Sequence, residues 1–409
     1  MRRREMRLSE ELQWRGFINQ MTYADITELD KGPISFYWGV DPSADSMHIG
    51  QLAMAMMIKH FIAAGHTATL LVGGATGMIG DPDGRAEERD LKSDDELQRN
   101  VAGISTQYRN LFDGLAFDVV NNYDWFKDIG FLDFLRMVGK YVPMSQMLGR
   151  EFVQSRLGDE GKGISYAEFS YSLIQGYDFL HLSREKGITL QVAGADQWGN
   201  SIAGVELIRR IDNKEAHVWT APLILNKSTG KKFGKSEGGA VWLDAAKTSV
   251  YQFYQFWLNT DDDGAIDYLK IFTMLSKDEI AEIEHRSADN PRDREAQKTL
   301  AREVTTIVHG EDRTASVERV TNALFGGVNF GELSDEDLDV LAGEIPTAAA
   351  GVSLIDILVN TAIASSNGDA RRLIEGGAIS LNGEKVSEDR DITEKSLIKK
   401  GKNNFILVR

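Results

Sequence analysis

Apolar positions in the first half of the chain come in short runs separated by helical stretches. Residues 34–40 read as a strand, 47–64 as a helix closed by Gly65, and 67–72 as a second strand that enters a glycine-rich turn. Residues 188–192 form a further strand ending near Gly194, followed by a helix over about 200–211. The run 221–225 reads as a last strand before a loop rich in glycine and lysine. Repeated strand, glycine turn and helix units predict a doubly wound, parallel α/β sheet. Such sheets bind ligands beyond the carboxyl ends of their strands, so the residues just after each run are the candidates for chemistry.

From about residue 248 to 325 the period turns helical. Asn290-Pro291 predicts a helix start and Gly310 its end. Residues 331–351, acidic and then small, read as a linker. Two short helices follow, over 354–364 and 369–375, then the strand residues 379–381, the turn Asn382-Gly383 and a final strand over 404–408. Asn-Gly between apolar runs is a strong hairpin signal. The expected organisation is a catalytic domain over 1–247, a helical domain over 248–330, the linker, and a small C-terminal α+β domain over 352–409.

Composition narrows the function classes. The 409 residues are 42% hydrophobic and 26% charged, ordinary values for a soluble globular protein, with a net charge of −16. A chain this acidic meets nucleic acid only through local basic patches. It has no cysteine, which removes disulfide and thiolate chemistry and fits a reducing compartment. The basic start is not followed by the apolar run of a signal peptide, and no window approaches the roughly 18 apolar residues of a membrane span. A cytoplasmic protein without a membrane role is expected.

Five segments carry candidate chemistry. Asp41-Pro-Ser43-Ala-Asp-Ser-Met-His48-Ile-Gly50-Gln51 leaves the first strand and opens an apolar helix. Free backbone N–H groups at a helix start attract phosphate, Gly50 lets a ligand ring lie on the backbone, and His48 and Gln51 share a face. A capped helix with a histidine in its first turn explains the same residues. The turn from Gly73 to Gly84 lacks the spacing of a dinucleotide fingerprint, so hydride transfer is a weak reading. Asp81 in that turn suits a ligand ammonium. In Glu168-Phe-Ser-Tyr171-Ser-Leu-Ile-Gln175-Gly-Tyr-Asp178, the residues Tyr171, Gln175 and Asp178 form one helical stripe ringed by apolar side chains. A polar stripe is usually a solvated face. Here the surroundings predict burial, and buried polar groups need partners that a small ligand with an ammonium and a hydroxyl could supply.

Asp196, in Gly194-Ala-Asp196-Gln197-Trp-Gly-Asn200, sits where an acid commonly holds ribose hydroxyls, or simply caps a helix. The loop Lys227-Ser-Thr-Gly230-Lys-Lys232-Phe-Gly234-Lys235-Ser236 fails the Walker A spacing by one residue. Its clustered lysines can nonetheless close over polyphosphate, although an exposed basic loop is the commoner meaning of such a run.

Asp-Pro-x-Ala-Asp-x-x-His-Ile-Gly and Lys-Phe-Gly-Lys-Ser resemble the two signatures of class I aminoacyl-tRNA synthetases. The tyrosine stripe and Gly-Ala-Asp-Gln-Trp-Gly-Asn between them resemble those of bacterial-type tyrosyl-tRNA synthetases, and the likeness extends over the whole chain to a C-terminal RNA-binding tail of the alpha-L type. The resemblance implies a Rossmann-like core acting on L-tyrosine, ATP with Mg²⁺, and tyrosine tRNA, with no tightly bound cofactor, in a homodimer.

Residue by residue, the resemblance puts Tyr37 and Asp178 on the substrate phenol and Asp81, Tyr171 and Gln175 on its ammonium. Gly39, Asp41, Gly50, Gly194, Asp196 and Gln197 line the adenylate, with Gln197 also at the tyrosine. Ser43, His48, Arg85, Arg89, Lys232, Lys235 and Ser236 hold the departing phosphates. Gln51 stands where the signature usually has a second histidine, which implies activity with an altered ATP dependence. Residues 158–162 read as a small insertion without an assigned role. Arg209, Arg210, Arg371, Arg372 and Lys385, with the basic residues after 394, are the candidate tRNA contacts, although a charge run is usually only a solvated face.

Two other readings use the same residues. A nucleotide-dependent ligase or kinase would show no tyrosine-dependent pyrophosphate exchange. An idle RNA-binding protein on this scaffold would bind RNA through 352–409 yet form no adenylate.

Overall fold

Strands covered on both faces need nearly unbroken apolar runs, and the central strands of this chain have them. The computed structural model describes residues 6–82, 91–149, 151–157, 163–230, 233–236, 239–326 and 329–409. Six strands form the main sheet: β1 (Gln20–Met21), β2 (Ser35–Val40), β3 (Thr67–Val72), β4 (Phe117–Asn121), β5 (Leu190–Gly194) and β6 (His217–Ala221). Their order is β1-β6-β5-β2-β3-β4. All neighbours are parallel except β1, which joins the β6 edge antiparallel.

The direction of winding reverses between β2 and β5. These two strands pair only at Phe36–Leu190 and Tyr37–Gln191. Beyond Tyr37 their pairing stops, and such a reversal, past the carboxyl ends of the strands, is where a doubly wound sheet binds its ligand. The helices Ile49–Ala63, Asp94–Leu111, Tyr166–Lys186 and Trp198–Asp212 complete the layers.

The strand expected over 221–225 lies four residues earlier. Val218, Trp219 and Thr220 are completely buried, whereas Leu223 and Leu225 are 42% and 50% exposed. Pro222 follows β6 at once and has no N–H for a ladder. The edge strands β1 and β4 are additions to the expected set. The helix expected at Asn290-Pro291 begins later, at Glu295. Residues Pro291–Asp293 make a 3₁₀ turn, and Arg294 takes the left-handed conformation between them. The Asn290 side chain bonds Asp293 at 2.6 Å and caps no helix.

The chain divides into two compact units, one of residues 1–248 and 259–300, the other of 249–258 and 301–409. In the second unit the stretch expected as a linker is ordered. Ser334 caps the helix Asp335–Ala342, whose Leu338 and Leu341 are buried, and Asp337 accepts Arg319 at 2.8 Å and Ser316 at 2.6 Å. The acidic residues that suggested a linker sit in a first helical turn, where the helix dipole favours them. Ile379–Leu381, Glu384–Lys385, Ser396–Lys400, Asn404–Val408 and Thr347–Ala348 form its five-stranded sheet. Asn382 and Gly383 make the expected hairpin turn, both with positive φ. No helix among the described residues is long and apolar enough to cross a membrane.

Candidate active site

The residues after β2 fold back on themselves before the first signature helix, Ile49–Ala63. His48 is its N-cap, and its Nδ1 accepts the Gly50 N–H at 3.0 Å. Gln51 Oε1 in turn accepts the His48 N–H at 2.9 Å, closing a capping box. The N–H groups of Ile49, Gln51 and Leu52 bond Val241 and His48 carbonyls. The expectation of free N–H groups at this helix start is therefore corrected: local partners satisfy them. What the turn offers a ligand is side-chain chemistry. With Nδ1 accepting, the neutral His48 ring carries its proton on Nε2 and presents a donor there. Gly50 has a local reason as well, since a Cβ would lie 2.8 Å from His48 Cε1. Ser43 and Gly39 are exposed beside this turn.

The polar stripe of the helix Tyr166–Lys186 points inward. Asp178 and Tyr171 are 1% and 3% exposed, and Tyr37 on β2 is 2% exposed. A continuous hydrogen-bonded chain joins Tyr171 to Asp178. Tyr171 donates to Asp41 Oδ2 at 2.7 Å, and Thr76 donates to Asp41 Oδ1 at 2.6 Å. Asn122 Nδ2 donates both to Thr76 at 3.2 Å and to Asp178 Oδ2 at 3.0 Å. Trp125 Nε1 donates to Asp178 Oδ1 at 3.0 Å. Gly73 is required by this chain, because a Cβ there would sit 2.2 Å from the Thr76 hydroxyl and 2.3 Å from Asp41 Oδ1.

Each Asp178 oxygen accepts one of these bonds and keeps acceptor capacity for another. The Tyr37 hydroxyl and the Gln175 carbonyl oxygen are buried without a hydrogen-bond partner among the described residues. Orphaned groups of this kind mark a place where a ligand belongs. Burial pushes the Asp178 carboxyl well above the carboxylate range, against the bonds from Asn122 and Trp125, and the nearby Asp41 charge raises it further. Burial and then the Asp178 charge likewise raise the Tyr37 phenol. Tyr171 is raised by burial first and then by Asp41, Asp81 and Asp178, so three carboxylates act on one spot. Such a spot favours a cation.

Asp81 binds the Gln197 amide at 2.5 Å, and Asn200 completes that group at 3.2 Å from Gln197 and 3.5 Å from Asp81. Asp196 is exposed at the tip of β5 with no side-chain partner among the described residues. A Cβ on Gly194 would lie 2.7 Å from its Oδ1, so the glycine lets this carboxylate fold back over the strand end. Thr76, Asn122, Trp125 and Asn200 were not expected from the sequence. Asn122 and Trp125 follow β4 directly, and recognising that strand would have pointed to them.

The second signature reaches the first. Gly234, buried and at φ 93°, would place a Cβ 3.1 Å from Ile49 Cβ. Lys235–Ser236 pairs antiparallel with Gly239–Ala240. Arg85, Arg89, Lys232 and the 158–162 stretch lie outside the described residues, and the side chains of Lys235 and Ser236 are not described either. Around the loop, Phe233 stacks on Tyr268 with ring centres 4.1 Å apart. Lys227 pairs with Asp267, and Ser228 bonds Asp261 at 2.8 Å. The helix Asp262–Phe272 thus anchors the loop at several points.

The candidate tRNA residues are more tied down than their charge suggests. Arg209 and Arg210 both pair with Glu206, at 2.7 and 3.1 Å. In the tail, Lys395 pairs with Asp335 and Arg409 with Asp339, while Lys399 and Lys400 bond the carbonyls of Leu324 and Ile363. Arg372 meets Asp369 at 3.5 Å, and the exposed Arg371 and Lys385 have no side-chain partner among the described residues.

The family description "tRNA synthetases class I (W and Y)" matches residues 29–326, and that of the C-terminal domain of tyrosine–tRNA ligases matches 337–409. The chain is 46% identical to a tyrosine–tRNA ligase of Staphylococcus haemolyticus, covering 98% of each chain. It is 44% identical to one of Limosilactobacillus fermentum, covering 99% of each. A solved, C-terminally truncated mitochondrial tyrosyl-tRNA synthetase of Aspergillus nidulans superposes with a TM-score of 0.70 at 31% identity, over 79% of this chain and 95% of that one.

Proposed function

The chain belongs to the class I tRNA synthetases of the tryptophan and tyrosine group, and from that premise we propose that it activates L-tyrosine with ATP and transfers it to tyrosine tRNA. The observation that carries the choice of tyrosine is the buried Asp178 carboxylate, with acceptor capacity to spare, in the same slot as the unpartnered Tyr37 hydroxyl. The substrate phenol donates to Asp178 and accepts from Tyr37. Phenylalanine would leave the Tyr37 hydroxyl without a partner and the spare acceptor capacity of Asp178 unused, a rejection for which the tyrosine-specific enzymes of this family are the standing example. The ammonium goes to the three-carboxylate region, held by Asp81, Tyr171 and Gln175 with Gln197.

No side chain acts as nucleophile. The tyrosine carboxylate attacks the α-phosphorus of ATP, the bond to the bridging β-phosphate oxygen breaks, and its electron pair leaves with pyrophosphate. The protein positions the reactants and stabilises the leaving charge. Asp196 holds the ribose hydroxyls, while Gly39, Gly50 and Gly194 allow the adenylate to approach the backbone. His48 Nε2–H, Ser43 and Gln51 serve the phosphates together with Lys235, Ser236, Lys232, Arg85 and Arg89. Mg²⁺ arrives as part of the ATP substrate. In the second step a hydroxyl of the terminal adenosine of the tRNA attacks the tyrosyl carbonyl and AMP leaves. Arg371 and Lys385, having no side-chain partner among the described residues, are the tail's first candidates for tRNA phosphates.

Amino-acid-dependent ATP–pyrophosphate exchange tests the reading. Exchange with tyrosine and little with phenylalanine or tryptophan is expected, and equal exchange with all three would overturn the slot assignment.

We also propose a homodimer. Phe131, Leu132, Met144, Leu157 and Tyr166 are each more than half exposed between residues 131 and 166, and large exposed apolar side chains are candidates for an interface. A second copy of the same stretch is the occupant that the family reading supplies. Tyr166→Glu should shift the sedimenting species towards monomer, and an unchanged profile in which wild type is itself monomeric would refute the proposal.

A further inference from the structure

The indole N–H that holds Asp178 belongs to a residue with weak local support. Trp125 lies in the four-residue helix Tyr123–Phe126, which has no fully buried residue, at the open edge of the sheet after β4. One edge of its ring bonds Asp178, while the ring also lines a cavity of about 490 Å³ shared with Arg109, Asp124, Glu185 and Lys186. Trp125 therefore stands between a solvent-lined space and the carboxylate that reads the phenol.

Its ring stacks on His181, which lines the same cavity, at 4.4 Å between centres and 22° between planes. His181 is one turn beyond Asp178 on the helix Tyr166–Lys186, so a single rigid helix grips the indole at two points. Burial lowers the His181 pKa, and the ring offered to Trp125 is the neutral one.

Resting on the tyrosine reading above, we infer that His181 is a positioning residue for substrate selection. It pins Trp125 over Asp178 and keeps cavity water away from that carboxylate. The physical consequence lies in how phenylalanine is rejected. An analogue without the hydroxyl is excluded because Tyr37 would be left unpaired and the open acceptor sites of Asp178 unfilled in a dry slot. Water admitted past a loosened Trp125 would pair with Asp178 and relieve that penalty. The same loosening would weaken the grip on tyrosine itself. Stacking on His181 therefore contributes to selectivity although the ring touches no substrate.

The experiment compares full-length wild type, His181→Ala and His181→Phe in pyrophosphate exchange with tyrosine and with phenylalanine. The tyrosine-to-phenylalanine ratio of kcat/KM is read within one sample, so a fraction of unfolded variant cancels. His181→Ala is expected to lower the ratio about tenfold and raise the tyrosine KM with kcat little changed, tenfold being the loss of one ordinary hydrogen-bond preference. His181→Phe keeps the stack and should restore the ratio. An unchanged ratio in His181→Ala, or no rescue by phenylalanine, overturns the inference while the tyrosine assignment stands. Absence of tyrosine-dependent exchange in wild type would instead remove the assignment itself.

Discussion

The slot around Asp178 and the loop after β6 are both polar, yet the fold holds them in opposite ways. In the slot each carboxylate oxygen of Asp41 and Asp178 accepts a bond from a side chain: Tyr171 on a long helix, Asn122 at a strand end, and Thr76 and Trp125 in short helical turns. The loop is anchored from outside, by the Phe233–Tyr268 stack and by Lys227 and Ser228 on the acids of the helix Asp262–Phe272. Lys227 is half exposed and Asp267 a third exposed, so that ion pair is screened and exchangeable. A preorganised slot suits a small substrate that must be told apart from near relatives. A loop on exchangeable anchors suits a charge that exists only while pyrophosphate leaves.

If the contrast is right, damage to the two regions separates in kinetics. The largest effect is expected from Asp178→Ala, which leaves the Asn122 and Trp125 donors and the substrate phenol without an acceptor. Tyrosine kcat/KM should fall by at least about a hundredfold, as expected when several buried donors are orphaned together. The ATP KM should move little. Phe233→Ala should do the reverse. It removes the stack that fixes the loop and should lower kcat about tenfold, the scale of one aromatic contact, at an unchanged tyrosine KM. A shared phenotype for the two variants would break the comparison.

Acid separates the regions further. Burial raises the Asp178 carboxyl above its usual 3.8, so the fold holds its proton more tightly than the unfolded chain does. The stability this group contributes is present below that value and is lost as pH rises towards its folded pKa. Asp267 behaves oppositely. Burial pushes its carboxyl up, but the bonds from Lys227 and Lys270 outweigh burial and leave it below 3.8. Its contribution is present above 3.8 and is lost as pH falls through the lowered pKa. Melting temperatures across pH should therefore show wild type losing ground to Asp178→Asn as pH rises from about 4. The advantage of wild type over Asp267→Asn should instead hold steady above about 4 and shrink as pH falls below 3.8. Parallel curves would refute the opposed signs.

How much of this was legible beforehand follows from where the partners lie in the chain. Tyr171, Gln175 and Asp178 could be read as one buried stripe because helical spacing is local. Tyr37 fell in the middle of an apolar run that reads as a strand. The groups that complete the site come from sequence-distant turns. Asn122 and Trp125 sit 56 and 53 residues from Asp178, behind an edge strand too short and too mixed to announce itself. The misplaced sixth strand has the same origin, because Leu223 and Leu225 look like core until Pro222 is seen to end the ladder. The helix start after β2 shows a further limit. Its motif pointed to phosphate, but that its N–H groups are already bonded to Val241 and His48 depends on a chain segment nearly two hundred residues away.

The smallest effect is expected at Gln51, and it probes the ATP side of the comparison without touching either anchor. Gln51 Oε1 accepts the His48 N–H, which orients the amide so that its Nε2 remains a donor. In Gln51→His, the imidazole Nδ1 can accept the same N–H and leave Nε2–H as donor. The hydrogen-bond pattern is kept and only the reach and direction of the donor change. A shift of a few-fold in the ATP KM is expected, about the difference between a well-aligned and a poorly aligned hydrogen bond. The tyrosine KM should be untouched, since the capping box lies outside the Asp178 chain. Identical ATP dependence in the two proteins would remove any role for the glutamine. A changed tyrosine KM would show that the first turn of this helix and the slot are mechanically coupled after all.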